Sequence, residues 1–203
     1  MNIENALYVL SSILFIFGIK RLSHPKTARS GNFISSMGML IAIITTLLAN
    51  GNISLEFVGL GILIGSIIGA FFAIRVEMTQ MPQMVAIFNG FGGIASALIA
   101  SAEYLNPDGI LSTFSLSTIS LSVFVGTLTF TGSFIAFGKL QGFISGQPII
   151  FPGQQILNGL IALFLIATAA FMVSSSSSPI DHFYYLIALS ALLGITITIP
   201  IGG

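Results

Sequence analysis

The sequence contains no cysteine, and only 6% of its 203 residues are charged. Without cysteine, disulfides, thiolate metal sites and cysteine catalysis are excluded. A soluble domain carries about a quarter charged residues, so water is not the expected solvent of this chain. Zero net charge and no basic patch exclude a nucleic-acid-binding surface. The two histidines, His24 and His182, are both expected in loops, which argues against a buried metal site.

Long apolar runs make up most of the chain, with 55% hydrophobic residues and a mean hydropathy of +1.04. A helix that crosses a bilayer needs about 20 apolar residues. Seven runs are suitable, which predicts an all-α, polytopic transmembrane bundle forming a single domain over residues 1–203. The expected spans are residues 5–21, 32–49, 54–74, 83–102, 117–137, 156–173 and 183–201.

The six basic residues predict how this bundle is oriented. When the seven runs alternate through a bilayer, all six fall on one side, together with Glu77, and the remaining acids fall on the other. Lysine and arginine stay in non-translocated loops, so we expect the N-terminus outside and the C-terminus inside. The basic residues are Lys20, Arg21, Lys26, Arg29, Arg75 and Lys139; the acids opposite are Glu4, Glu56, Glu103, Asp108 and Asp181.

The entry to the fourth span has the most chemical content of the chain. Pro82 suits the first turn of a helix, with Thr79 as a candidate N-cap. Asn89 then lies about 10 Å inside a hydrocarbon layer about 30 Å thick, where an unpaired amide is costly. Two interpretations stay open: an interhelical hydrogen bond that holds the bundle together, or a polar station on a proton path.

Small residues at helical spacing occur on two further spans. The third span has a double GxxxG pattern, which predicts a packing ridge. The fifth has hydroxyl groups on one face, which favours packing but also allows a polar path. The ridge is Gly61, Gly65 and Gly69, and the face is Ser122, Gly126, Thr129 and Ser133.

Four long strings carry a resemblance to a known family. They are GIKRLSHPKTARSGN, VEMTQMPQMVAIFNGFGG, FTGSFIAFGKLQGFISGQPIIFPGQQ and TIPIGG. In this order, and over nearly the whole chain, they resemble the beta subunit of proton-translocating nicotinamide nucleotide transhydrogenase. The resemblance implies a dimeric enzyme in the plasma membrane of a bacterium, with the mitochondrial inner membrane as the alternative. It passes hydride between NAD(H) and NADP(H) while a proton crosses the membrane.

The resemblance also implies what this chain does not contain. In the family the alpha subunit binds NAD(H), and a C-terminal domain of beta binds NADP(H). The sequence stops at Gly203 and has no glycine-rich strand-to-helix turn for a dinucleotide. We therefore expect a truncated form, a split gene product or a fragment, which binds no cofactor or metal itself and is not catalytic alone.

The family pattern also bears on the proton site. Some members have a titratable histidine at the position of Asn89 and an acid at that of Gln83. Members with asparagine at the position of Asn89, as in this chain, resemble those whose proton-carrying histidine lies on a helix of the alpha subunit. The resemblance thus implies that Asn89 is a neighbour of the proton site.

Two groups of residues follow as candidates. For the proton path they are Asn89, Ser96, Ser122, Thr129 and Ser133. For the face that meets the nucleotide-binding domain they are Arg75, Glu77, Gln83, Lys139, Gly202 and Gly203, together with the apolar loop 138–155. The alternatives are a stand-alone transporter or channel, which the lack of charge within the spans opposes, and a noncatalytic scaffold remnant.

Overall fold

The computed structural model describes residues 2–49, 54–107, 109–174 and 180–202, so Asp108 and Gly203 lie outside the described residues. Within these ranges the regular structure is helical, and seven helices are long and apolar enough to cross a membrane. The predicted all-α, seven-span class is therefore confirmed. The chain divides into two compact units, Met1–Ile74 and Arg75–Gly203. A single domain and an outside N-terminus stay predictions.

The first unit contains α1 (Ile3–Leu22), α2 (Pro25–Ala49) and α3 (Leu55–Arg75), whose last residue already belongs to the second unit. Helices α1 and α2 are joined by two residues and pack closely along their length. A Cβ added at Gly31 would lie 2.7 Å from the Gly18 carbonyl oxygen. Further along the pair, the buried Ser11 hydroxyl donates to the Gly38 carbonyl at 2.7 Å. Small residues and one buried hydrogen bond thus hold α1 to α2.

Helix α3 differs from the other two helices of its unit because none of its described residues is buried. A Cβ added at Gly61, Gly65 or Gly69 would meet no heavy atom within 4 Å. The predicted glycine ridge is therefore not used for packing inside the first unit. A packing role for it stays a prediction.

The second unit begins with a single 3-10 turn, Met78–Gln80, and continues through α4 (Met81–Leu105), α5 (Thr113–Leu140), α6 (Gln154–Ser174) and α7 (Ile180–Thr198). Helix α5 packs against α4 on one side and α7 on the other, and α7 also packs against α6. The core lies where α5, α6 and α7 meet. Its completely buried apolar side chains are Val123, Met172, Phe183 and Leu186.

Successive helices of this unit run in opposite directions, so two ends can be named. The Lys139 end carries the starts of α4 and α6 and the ends of α5 and α7, at Met81, Gln154, Leu140 and Thr198. The opposite end carries Leu105, Thr113, Ser174 and Ile180, and there Tyr104 of α4 stacks on Phe183 of α7 with ring centroids 4.4 Å apart.

Helix α2 begins at Pro25, ahead of the expected span 32–49, because proline is well tolerated in a first helical turn, so Lys26 and Arg29 are helical. Two local expectations were wrong. Thr79 does not cap α4: it lies in the 3-10 turn, whose Gln80 N–H bonds to the Glu77 carbonyl at 2.9 Å, and the chain passes directly into the helix. His182 lies in the first turn of α7 rather than in a loop.

Candidate functional site

Helices α4 and α5 approach so closely where they cross that their backbones are in contact. A Cβ added at Gly126 would lie 2.5 Å from the Gly93 carbonyl oxygen and 2.9 Å from the Ala97 nitrogen. A Cβ at Gly93 would lie 2.7 Å from the Gly126 carbonyl oxygen. Because only glycine lets two backbones approach this closely, these two residues fix the level at which the helices touch.

Asn89 and Ser133 form a hydrogen bond across the same pair of helices, on the Lys139 side of the glycine crossing. Asn89 Nδ2 donates to Ser133 Oγ at 2.8 Å. Ser133 is 9% exposed, whereas Asn89 is exposed. The amide therefore reaches inward from the surface of α4 to a buried hydroxyl. Part of its polar surface remains on the outside of this chain, where lipid at the expected depth would offer no hydrogen bond.

A small cavity lies on the other side of the glycine crossing, towards the opposite end. Its volume is about 280 Å³, and Ser96 of α4 and Ser122 of α5 both line it, together with the carboxyl-bearing Glu103 and the hydroxyl-bearing Thr118. This cavity therefore places two of the predicted path residues beside an acid and a further hydroxyl.

Thr129 lies at the crossing itself. Its Cβ and Cγ2 would be 2.9 and 3.0 Å from a Cβ added at Gly93, so its apolar side packs on that glycine. All five predicted path residues thus belong to the α4–α5 interface. They form two polar groups, Asn89 with Ser133 and Ser96 with Ser122, with the glycine crossing between them. A proton path through these residues stays a prediction.

The Lys139 end is held together by polar side chains that bond to backbone carbonyls. Gln83 Nε2 donates to the Leu140 carbonyl at 3.2 Å and so ties the start of α4 to the end of α5. Gln154 and Asn158 of α6 both donate to the Thr196 carbonyl of α7, at 3.1 and 3.5 Å. Carbonyls in the last turn of a helix have no partner within it, and these amides supply one.

Lys139 is 5% exposed, and its Nζ donates to three backbone carbonyls. A partner protein could reach this ammonium only after those contacts open. Arg75, Glu77 and Gly202 are exposed, and Gln83 is half-buried. Gly203 lies outside the described residues. A shared interface with a nucleotide-binding domain stays a prediction for all six candidates.

The sequence did not indicate two features of this end. The internal partners of Lys139 were missed because a lone lysine in a loop on the basic side is typical of a solvated charge. Gln154, also 5% exposed, was not a candidate at all. The signal for an internal lysine was the loop 138–155 itself, which is apolar and carries a single charge. A charged side chain in an apolar loop has few positions exposed to water.

In the described residues, no group of three histidine, cysteine, aspartate or glutamate side chains is placed to hold a metal ion. His182 stacks on Phe171 with ring centroids 4.4 Å apart, a packing contact at the opposite end of the unit.

Comparison with known proteins identifies the family. The family model described as NAD(P) transhydrogenase beta subunit matches residues 4–203. The chain belongs to the NAD(P) transhydrogenase beta-subunit family. Two relatives are named NAD(P) transhydrogenase subunit beta. Both are from Rhodospirillum rubrum, one of them from a defined strain. Each is 40% identical to this chain over 209 aligned positions. These alignments cover 100% of this chain and 45% of each relative. The chain therefore spans about half the length of the beta subunits it matches.

Proposed function

We propose that this chain is a proton-conducting part of the membrane domain of an NAD(P) transhydrogenase, in which hydride transfer between NAD(H) and NADP(H) is coupled to proton translocation. Membership of the beta-subunit family and seven membrane-length helices support the proposal. In this proposal hydride transfer takes place outside the bilayer, on nucleotide-binding domains of the complex. The nucleotides are cofactors of the complex.

The observation that carries the proposal is the position of Asn89. Its side chain is exposed on α4, yet it donates to the buried Ser133 hydroxyl. An amide facing lipid at this depth costs free energy unless a polar partner covers it. The partner we propose is a helix of the alpha subunit carrying a titratable histidine, as the family resemblance implies. Asparagine does not titrate, so Asn89 orients that group or a water beside it.

The proposed setting is the plasma membrane of a bacterium, with the basic ends of the helices in the cytoplasm and a dimer of the complex as the assembly. The uneven distribution of the six basic residues supports this orientation. Arg75, Glu77, Gln83 and Gly202 are proposed to face the nucleotide-binding domain there.

Replacing Asn89 tests the proposal. In inverted membrane vesicles that contain the complete complex, Asn89→Leu should lower proton uptake driven by hydride transfer by about fivefold or more. Loss of one hydrogen bond worth about 1 kcal/mol changes a rate by that factor. Proton uptake is followed with a pH-sensitive dye and hydride transfer by nucleotide absorbance. Ser133→Ala should have the same effect, because it removes the acceptor of the same bond.

The control is Thr168→Val. Thr168 is a hydroxyl residue of α6 whose Oγ1 donates within its own helix, to the Phe164 carbonyl at 2.7 Å, and its replacement should leave proton uptake unchanged. Unchanged uptake in Asn89→Leu would remove this residue from the mechanism. Purification of the chain without an NADP(H)-binding polypeptide, from membranes that show no transhydrogenation, would refute the proposed function.

A further inference from the structure

Lys139 is the most deeply buried charged side chain in the described part of the chain, at 5% exposure. Its Nζ donates to the carbonyls of Ile199 at 2.6 Å, Ile201 at 2.7 Å and Gln147 at 3.2 Å. An ammonium group has three donors, so these three carbonyls account for all of them. Lys139 is thus a charged group whose hydrogen-bonding capacity is directed inward.

The three acceptors come from two segments that lie outside the helices. Ile199 and Ile201 follow the last residue of α7, and Gln147 lies in the loop between α5 and α6. The carbonyls at a helix C-terminus carry a partial negative charge, which favours a nearby cation. A buried ammonium is costly unless it is well paired. The three carbonyls supply that pairing, and loss of the ammonium removes one donor from each of them.

Further contacts join the same segments around Lys139. The Ile149 N–H donates to the Ile199 carbonyl at 3.3 Å, so this oxygen accepts from the loop as well as from the lysine. A Cβ added at Gly202 would lie 3.7 Å from the Gly146 carbonyl oxygen. The end of α5, the loop and the α7 exit at Ile199–Gly202 thus form one connected assembly with the ammonium at its centre.

We propose that Lys139 is a positioning residue that makes this assembly move as one body and so links the α7 exit to Ser133. The inference rests on the proposed function and deepens it. Lys139 and Ser133 lie on the same helix, six residues or about 9 Å apart. A displacement of the α7 exit by a nucleotide-binding domain is passed through the ammonium to α5, and along α5 to the Asn89–Ser133 hydrogen bond.

The physical part of the proposal is tested by hydrogen exchange on the chain in lipid nanodiscs. Lys139→Met keeps the apolar stem and removes the ammonium. It should speed exchange of the Ile149 amide and of residues 199–202 by about tenfold, because local opening then breaks fewer hydrogen bonds. Lys26→Met is the control, since Lys26 is an exposed lysine in the first turn of α2. It should leave both segments unchanged.

The functional part is tested in the complete complex by the ratio of protons translocated to hydrides transferred. Lys139→Met should lower this ratio by about threefold or more while hydride transfer continues, because a weakened link lets the nucleotide reaction proceed without moving α5. A purely structural role would lower both rates together and leave the ratio unchanged. Lys139→Arg keeps the charge but not the compact geometry, and its ratio should be intermediate.

The two measurements separate this inference from the proposed function. Unchanged exchange in Lys139→Met, or faster exchange with an unchanged ratio, would overturn the positioning role. If Lys139→Met does not accumulate in the membrane, Lys139→Arg undergoes both measurements and is judged in the same way. If the wild-type complex transfers hydride without translocating protons, the proposed function itself fails, whatever hydrogen exchange shows.

Discussion

At the scale of single residues, Gly126 offers the sharpest test of the α4–α5 contact. Gly126→Ala places a methyl group 2.5 Å from the Gly93 carbonyl oxygen, and backbone cannot yield as a flexible side chain would. We expect the two helices to separate at a cost of about 1–3 kcal/mol, measured as a lower thermal unfolding midpoint in detergent. Gly92→Ala is the matched control, because a Cβ there meets nothing within 4 Å. Equal stability of the two variants would contradict the close crossing.

Asn89 and Lys139 show what the sequence could and could not predict. Asn89 was identifiable because an amide among apolar residues is conspicuous, and the structure pairs it with Ser133, another candidate. The inward turn of Lys139 was not predictable. Its acceptors are backbone carbonyls up to 62 residues away, and every residue has such a carbonyl, so nothing in the sequence marks the ones that it contacts.

At the scale of helices and loops, the seven apolar runs were predicted because lipid forces each spanning segment to satisfy its own backbone. The helix ends were less predictable. Helix α5 begins at Thr113 rather than at residue 117, since the Ser112 hydroxyl accepts from the Ser115 N–H at 3.0 Å and caps it in a polar stretch. Hydropathy does not register a cap of this kind.

The loop between α5 and α6 depends on two glycines in left-handed conformations. Gly142, just after α5, has φ +80°, and Gly153, just before α6, has φ +82°. Gly153→Ala should destabilise the chain by about 1 kcal/mol, the usual cost of a side chain at positive φ, seen as a lower denaturation midpoint. Gly159→Ala, in α6 with open space around it, should instead be neutral or stabilising by about 0.5–1 kcal/mol. Similar midpoints for both variants would contradict this account.

At the scale of the whole molecule, the sequence predicted the architecture and left the orientation to be tested. The lack of native cysteine makes single-cysteine labelling unambiguous. With a membrane-impermeant maleimide, Lys26→Cys and Ser145→Cys should react only in inverted vesicles, because both positions are exposed and lie on the predicted inside. Asp181→Cys should react only in vesicles of the opposite sidedness. Labelling of positions 26 and 145 from opposite sides would disprove the threading.

The backbone contact between Gly93 and Gly126 has a mechanical consequence. It lies between the Asn89–Ser133 bond and the cavity beside Glu103. A change in the crossing angle of α4 and α5 at this contact would alter the distance from Gln83 to Leu140 and the distance from Glu103 to Thr118 at the same time. The two polar groups on either side of the crossing would then not rearrange independently of each other.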